Sequence, residues 1–403
     1  MAAARPDALP YRSGRRRIDL IDALRAFALF GILQVNILSF LWGPGGLTVF
    51  SGPPGIADQT VYLLVAAFVS TKFLSLFALL FGYGFALQTR RIRRARDEPG
   101  ARKAYRRRLW FLLAVGVLHG ALLYFGDILT AYALCGFVLA LYARSRPSTL
   151  AAHARNWLIG YLAVTLVLML VTGRAGRFVS AADAASVPPE WVDRFEAATT
   201  GDYVDYLLAN VADYVDLTLL AVTLSAPYLV GLFVLGALAG RLGWLAHPER
   251  HPRVWRRARA IGWAALPVAA AGAWLSLQSQ IDTPGLPSAV GFTLTALSFP
   301  LLGLYLAWIV RWRDARAMHA AITWLAPAGR MPLTNYLLQS VAMGVLLSGW
   351  GLGWGAALSV AQLAALAVLI VAAQIVASRA WIARFGQGPV EALWRRATYG
   401  RGP

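Results

Sequence analysis

The sequence predicts an all-α, polytopic integral membrane protein, with about ten transmembrane helices gathered in one bundle. Three observations lead there. Of 403 residues, 58% are hydrophobic and only 14% charged, with a mean hydropathy of +0.57, whereas soluble domains hold roughly 45–50% apolar and about 25% charged residues. Apolar stretches recur from residue 20 to residue 378. Finally, nearly all the arginines fall in short segments between those stretches. The net charge of +19 therefore speaks of topology, and a soluble enzyme or a nucleic-acid-binding protein is excluded. A single cysteine, Cys135, lies within an apolar run and rules out an intrachain disulfide.

A bilayer core of about 30 Å needs roughly 20 apolar residues at 1.5 Å each. Measured so, the spans fall at Leu20–Trp42, Phe68–Leu87, Leu109–Phe125, Ile128–Tyr142, Trp157–Val171, Thr218–Gly240, Ala258–Gln280, Val290–Val310, Pro332–Trp350 and Trp354–Ser378. The Gly126-Asp127 pair supplies the tight turn between the third and fourth. Alternate connections carry 32 Lys and Arg on one side and 3 on the other, which places both termini in the cytoplasm. Residues 1–19 form a basic N-terminus, with Arg15, Arg16 and Arg17 ahead of an apolar run too long for a cleaved signal peptide, so the run reads as a signal anchor. Residues 20–171 hold the first five helices, 218–378 the last five, and 379–403 a cytoplasmic tail.

Residues 172–217 are the one long outer segment, with eight acidic residues between Asp183 and Asp216. There Val204, Leu207, Leu208, Val211 and Val215 share a helical face, as in an interfacial amphipathic helix or a lid over an outward cavity. On the inner side, Arg311–Arg330 with Trp312 and Trp324 reads as another interfacial helix.

Polar side chains within spans are costly and direct attention to function. Asp22 and Arg25 stand at i,i+3 near the inner end of the first helix, where they pair with each other or present Arg25 to an anionic ligand. Asn36, Lys72, His119 and Asp127 come from three successive segments and all reach the outer half of the membrane. They form either a self-satisfying polar knot or a site where His119 moves a proton. In the ninth helix Asn335 and Gln339 share a face near the inner end, the pattern of interhelical packing, and Gln362 and Gln374 read alike. No phosphate loop, nucleophile elbow or paired-cysteine pattern occurs, and four of the five histidines lie in inner connections, so no metal site is expected.

The segment from Arg17 through Asp19, Asp22 and Arg25 to Gly31 and Asn36 resembles the opening of the YeiB-like family of bacterial membrane proteins. Further blocks fit: Lys72-Phe73 leading to Phe81–Gln88, His119 with Gly126–Leu129 and Tyr132-Ala133, and Gly329–Ser340. The tail from Trp381 through Pro389 and Glu391 to Gly400 resembles the end of that family's C-terminal domain of unknown function 418. The resemblance implies a bacterial inner-membrane protein related to transmembrane acyltransferases, alongside the lysosomal heparan glucosaminide acetyltransferase and the bacterial sugar O-acyltransferases. Their shared feature, an Arg in the first helix followed by ten residues and a polar residue, corresponds to Arg25 and Asn36. Where the sugar enzymes carry a His, this chain has Asn36, and no His stands between Asn36 and Lys72, which leaves His119 as the intramembrane base.

The expectation is therefore a transfer of an acyl group from cytoplasmic acyl-CoA, the co-substrate, to a sugar, lipid or small-molecule acceptor of the envelope. Arg25, Arg106 and Arg330 would meet the phosphates and Asn335 and Gln339 would line the substrate path. His119, oriented by Asp127, would act as base, and Asn36 or Lys72 would stabilise the oxyanion. The rival is a small-molecule or lipid transporter using the same polar residues. Membrane lipids and a small-molecule acceptor are the expected partners, nucleic acid is not, and a homodimer is allowed.

Overall fold

The computed structural model describes residues 9–41, 54–94, 98–175, 189–220, 224–281 and 286–399. The expected first-span end at Trp42, the first eight residues of the basic N-terminus, outer-segment residues 176–188 and the final Gly400 lie outside them. Among the described residues every regular element is helical. Six stretches are long and apolar enough to cross a membrane: Asp19–Ser39, Ile56–Thr89, Pro147–Val171, Pro252–Gln278, Thr293–Trp312 and Val360–Phe385. Leu129–Ala140, Ala226–Leu242 and Pro332–Leu347 are shorter apolar helices. The chain is a polytopic membrane protein, and each of the ten expected spans contains a helix.

At the centre stand α1 (Leu9–Ser39), α3 (Lys72–Arg94) and α9 (Ala226–Leu242). In the most apolar window of α1, 72% of residues are buried, against 6% in α6 (Pro147–Ala175) and 17% in α15 (Val360–Phe385), so these two lie at the periphery of the bundle. The α3–α9 seam is tight because it is lined by glycine: a Cβ on Gly82 would overlap the Phe233 carbonyl, and one on Gly236 the Leu79 carbonyl. Without a hydrophobic force between helices in lipid, such backbone approach supplies the packing energy. Gly329, at the end of α13 (Arg316–Gly329), likewise lies against the Asp22 backbone of α1.

Three expected boundaries are corrected. The second span begins earlier, with α2 (Ile56–Leu64) and a π turn over Val65–Val69, and breaks at Ser70-Thr71 before α3. Thr71 has φ 68, a left-handed conformation that is strained for a β-branched residue. Neighbours hold it there: its carbonyl accepts from Tyr228 on α9 at 3.2 Å, and its hydroxyl donates to the Thr295 carbonyl at 3.3 Å. The eighth span divides into α11 (Leu286–Leu297) and α12 (Leu302–Trp312) around a 3₁₀ turn at Phe299–Leu301, where Pro300 lacks the amide a continuous helix needs. The sixth helix starts at Ala226, because Thr218–Leu220 belong to the preceding outer helix.

The outer segment contributes α7 (Pro189–Thr199) and α8 (Tyr203–Leu220). Val204, Leu208, Val211, Val215 and Leu219 of α8 are exposed, while Tyr206, Asn210 and Tyr214 turn inward onto the end of α4 (Glu98–Leu122). Asn210 donates to the carbonyls of Gly120 and Ala121 at 2.8 and 2.9 Å and accepts from the Phe125 amide at 2.7 Å. One side chain thus satisfies backbone groups that the helix end leaves open. Arg194 of α7 pairs with Asp213 at 2.9 Å. Burial pushes the Asp213 carboxyl above its usual range, against the pull of Arg194.

Candidate functional site

His119 lies in the last turn of α4, and Asp127 follows the Gly126 turn just before α5 (Leu129–Ala140). Asp127 accepts through Oδ2 from the Thr130 amide at 2.8 Å, capping the start of α5. Its Oδ1 is 2.9 Å from His119 Nδ1, and both side chains are buried. The other imidazole nitrogen, Nε2, is 2.8 Å from Ser340 Oγ on α14 (Pro332–Leu347). One histidine thus bridges a carboxylate and a hydroxyl that is 221 residues distant in sequence. Tyr336, one turn before Ser340, sets its ring 4.9 Å from the imidazole and accepts from the Ile128 amide at 3.3 Å. From the outer side, Tyr214 of α8 reaches Thr130 Oγ1 at 2.9 Å and covers the pair.

Two cavities are stacked along α1 and α3; His119, Asp127 and Ser340 line neither, and the cavities approach the group through Tyr336 and Ile128. The first, about 410 Å³, opens at the end that carries the arginine-rich connections. Arg25, Arg108 and Arg330 line it with Asp22 and Glu391, and its deeper wall is Phe77, Phe81, Leu112, Leu129, Tyr132 and Tyr336. The second, about 270 Å³, is lined by no charged residue. Its polar groups are Asn36, Tyr62, Ser70, Thr71, Ser276 and Thr295, set in an apolar wall that includes Phe73, Leu74 and Ile128. Ile128 and Leu129, consecutive in the chain, face different cavities.

The expected site residues divide accordingly. His119 and Asp127 are in contact at 2.9 Å, whereas Asn36 and Lys72 hydrogen-bond neither. Asn36 faces the uncharged cavity. Lys72 is fully buried and donates from Nζ to the Ala66 carbonyl at 3.2 Å, closing the π turn that precedes it. A donor to a carbonyl that the helix end leaves open performs a structural task. Arg25 lines the charged cavity with its guanidinium 2.9 Å from Asp22, and Arg330 lies 3.5 Å from Asp19 and 3.9 Å from Asp22. Arg106 is exposed on the far side of α4, and Arg108 lines the cavity instead. Arg108 stacks on Trp394 at 4.0 Å, and Trp394 donates to the Arg108 carbonyl at 3.1 Å.

Asn335 and Gln339 belong to a ladder between α14 and α15. Asn335 donates to the Ala328 carbonyl and to Ser378, both at 3.0 Å, and Gln339 donates to Gln374 at 3.0 Å. Gln374 in turn donates to the Asn335 carbonyl at 3.0 Å. Both side chains fix α14 and line neither cavity. Glu391 of α16 (Pro389–Tyr399) caps the start of α14, accepting from the amides of Leu333 and Thr334 at 2.7 and 3.1 Å and from the Thr334 hydroxyl at 2.6 Å. Among the described residues no group of three His, Cys, Asp or Glu side chains could hold a metal ion. Sequence reasoning missed Ser340, Tyr336 and Arg108 as site residues. The signal was present for the first two, since Tyr336 and Ser340 stand at i,i+4 on one face of a polar-studded helix.

Residues 239–401 match the family model described as Protein of unknown function (DUF418). Over 95% of its length the chain is 31% identical to "Uncharacterized protein YxaH" of Bacillus subtilis (strain 168), covering 94% of that protein. It is 29% identical to "Uncharacterized protein YeiB" of Escherichia coli (strain K12), with 94% of this chain and 95% of the relative aligned. A shorter match, 38% identical over 30% of this chain and 33% of the relative, is to an "Uncharacterized 39.9 kDa protein in amylase 3'region" of Bacillus acidopullulyticus. Similarity that runs nearly end to end, joined to the C-terminal domain match, shows that the chain belongs to the YeiB-like family of bacterial membrane proteins.

Proposed function

We propose that this chain is an inner-membrane acyltransferase that takes an acyl group from cytoplasmic acyl-CoA and passes it to an acceptor on the other side. The observation that carries this reading is the buried His119, held between Asp127 and Ser340 beside an arginine-lined cavity. In it, the arginine-rich connections are cytoplasmic, as their charge bias requires. Arg25, Arg108 and Arg330 bind the donor's phosphates, because planar guanidinium groups match phosphate oxygens. The apolar wall from Phe77 to Tyr132 accepts the acyl arm. Asp127 keeps the proton of neutral His119 on Nδ1, so Nε2 is the basic nitrogen. Asn36 faces the cavity assigned to the acceptor, a sugar, lipid or small molecule of the envelope, and its amide serves the developing oxyanion. Lys72 leaves the chemical group for its structural task.

A carrier of small molecules or lipids is the second reading, and what favours it is the stacking of two cavities on either side of Ile128-Leu129. Equilibrium binding of acetyl-CoA to the purified full chain in detergent separates the two. Saturable binding that is lost in Arg330→Ala and kept in His119→Ala supports the transferase, since the two residues then divide binding from chemistry. Absence of binding in the wild type removes it in favour of the carrier.

A further inference from the structure

The hydrogen bonds of His119 restrict what it can deprotonate. Asp127 accepts through both oxygens, from the Thr130 amide and from the imidazole. With Asp127 as a carboxylate, the Nδ1 position carries the proton and the lone pair of the neutral ring lies on Nε2. That lone pair is aimed at Ser340 Oγ at 2.8 Å, within proton-transfer distance. All three side chains are buried. The hydroxyl that His119 activates is therefore one of the protein's own, and an incoming acceptor would first have to displace it.

We infer that Ser340 is the nucleophile of a two-step transfer, in which the acyl group rests on Ser340 as an ester before it reaches the acceptor; the inference builds on the acyl-CoA reading above. In the first step Ser340 Oγ attacks the thioester carbonyl and its proton passes to His119 Nε2. The C–S bond breaks, and the departing CoA sulfur takes that proton and leaves as the thiol. In the second step an acceptor hydroxyl or amine attacks the ester carbonyl and gives its proton to Nε2. The C–O bond to Ser340 breaks, and Oγ recovers the proton. No oxidant, metal or further reactant enters the balance.

A covalent relay also suits the position of the group. Tyr336 lines the charged cavity, packs on the imidazole and precedes Ser340 by one turn. Its hydroxyl holds the amide of Ile128, which lines the uncharged cavity. Ser340 thus stands behind a Tyr336–Ile128 partition that both cavities touch. Ser340 itself lines neither cavity, so loading from one and unloading to the other requires the Tyr336–Ile128 partition to yield in each step, and donor and acceptor need not be present together.

The test mixes the full-length wild-type chain in detergent with acetyl-CoA labelled in the acetyl group, without acceptor, quenches in acid, and reads free thiol and labelled peptides. The expected result is a burst of about one thiol per chain, as an accumulating acyl-enzyme requires, with the label as a hydroxylamine-labile ester on Ser340. Ser340→Ala abolishes burst and label, Ser340→Cys restores a burst with the label as a thioester, and His119→Ala slows the burst at least about 100-fold. Thermal unfolding of each variant confirms that it is folded. Label transfer from acetyl-CoA to an Escherichia coli envelope lipid extract that proceeds in Ser340→Ala at the wild-type rate would overturn the inference and leave the acyltransferase reading standing. So would wild-type transfer with no labelled Ser340. Neither thiol release nor transfer in the wild type overturns the acyl-CoA reading, and this inference with it.

Discussion

The two cavities share walls on α1 and α3 and differ in almost everything else. The larger holds Arg25, Arg108 and Arg330 with two carboxylates, and the smaller holds no charge and offers amide and hydroxyl groups only. The same two helices produce both. On α1, Asp22 and Arg25 face one cavity, and from about two turns further on Gly31, Ile32, Val35, Asn36 and Leu38 face the other. The difference follows from depth. Near its basic end the bundle can keep guanidinium groups in contact with water and counter-charges, whereas a charge deeper in lipid costs about 2.5–3.5 kcal/mol on insertion scales. On the acyltransferase reading a charged donor would be confined to one side, and only a small uncharged group such as an acyl group would cross the partition.

Four predictions can break or sharpen that contrast. The largest effect belongs to the arginines: Arg108→Ala or Arg330→Ala weakens CoA binding about 10- to 100-fold, since a charge-assisted contact is worth about 1.5–3 kcal/mol. Asn36→Ala leaves that affinity unchanged in the same titration, and an equal loss in both would erase the distinction. Gly31→Ala acts on the uncharged cavity. Its Cβ would overlap the Phe73 ring, a wall of that cavity, and pushing the ring inward costs about 1–3 kcal/mol. Acceptor labelling should fall while the acceptor-free thiol burst persists; loss of the burst would mean that the cavities are not separable.

Glu391→Ala removes the three bonds that cap α14. A lost N-terminal cap costs about 0.5–2 kcal/mol, so the unfolding temperature in detergent drops, and the burst slows because Tyr336 and Ser340 ride on that helix. An unchanged burst would show that α14 is held without its cap. The smallest effect is that of salt. Raising ionic strength severalfold should weaken CoA binding a few-fold, by screening a partly solvated cationic site, and leave the acceptor KM unmoved. A matching salt dependence in the acceptor KM would reveal charge that the second cavity does not show.

Much of the bundle could be read in advance because membrane solvation acts locally. A run of apolar residues and a flanking arginine state their depth without reference to any neighbour, and the alternation of basic connections set the order of spans. The breaks were harder. Nothing before Lys72 marks Ser70-Thr71 as a left-handed corner, since a threonine adopts φ 68 only when Tyr228 and Thr295 hold it there. That corner turned Lys72 toward the Ala66 carbonyl instead of toward His119. Arg106 and Arg108 show the same limit on a smaller scale. Two residues on a helix point about 200° apart, and only the packing of α16 on α4 determines which one faces inward.

By itself the sequence determined that the chain is helical and that it lives in a membrane, and it raised the expectation that Asp127 orients His119. Composition, hydropathy period and a short Gly126 turn are local properties, and they act whatever the rest of the chain does. The tertiary structure alone decided that Ser340 completes the pair, that Asn335 and Gln339 brace a helix, and that charge is confined to one cavity. Those facts depend on contacts between helices far apart in sequence. In lipid such contacts are chosen by backbone fit at residues like Gly82 and Gly236 and by hydrogen bonds that leave few polar groups alone.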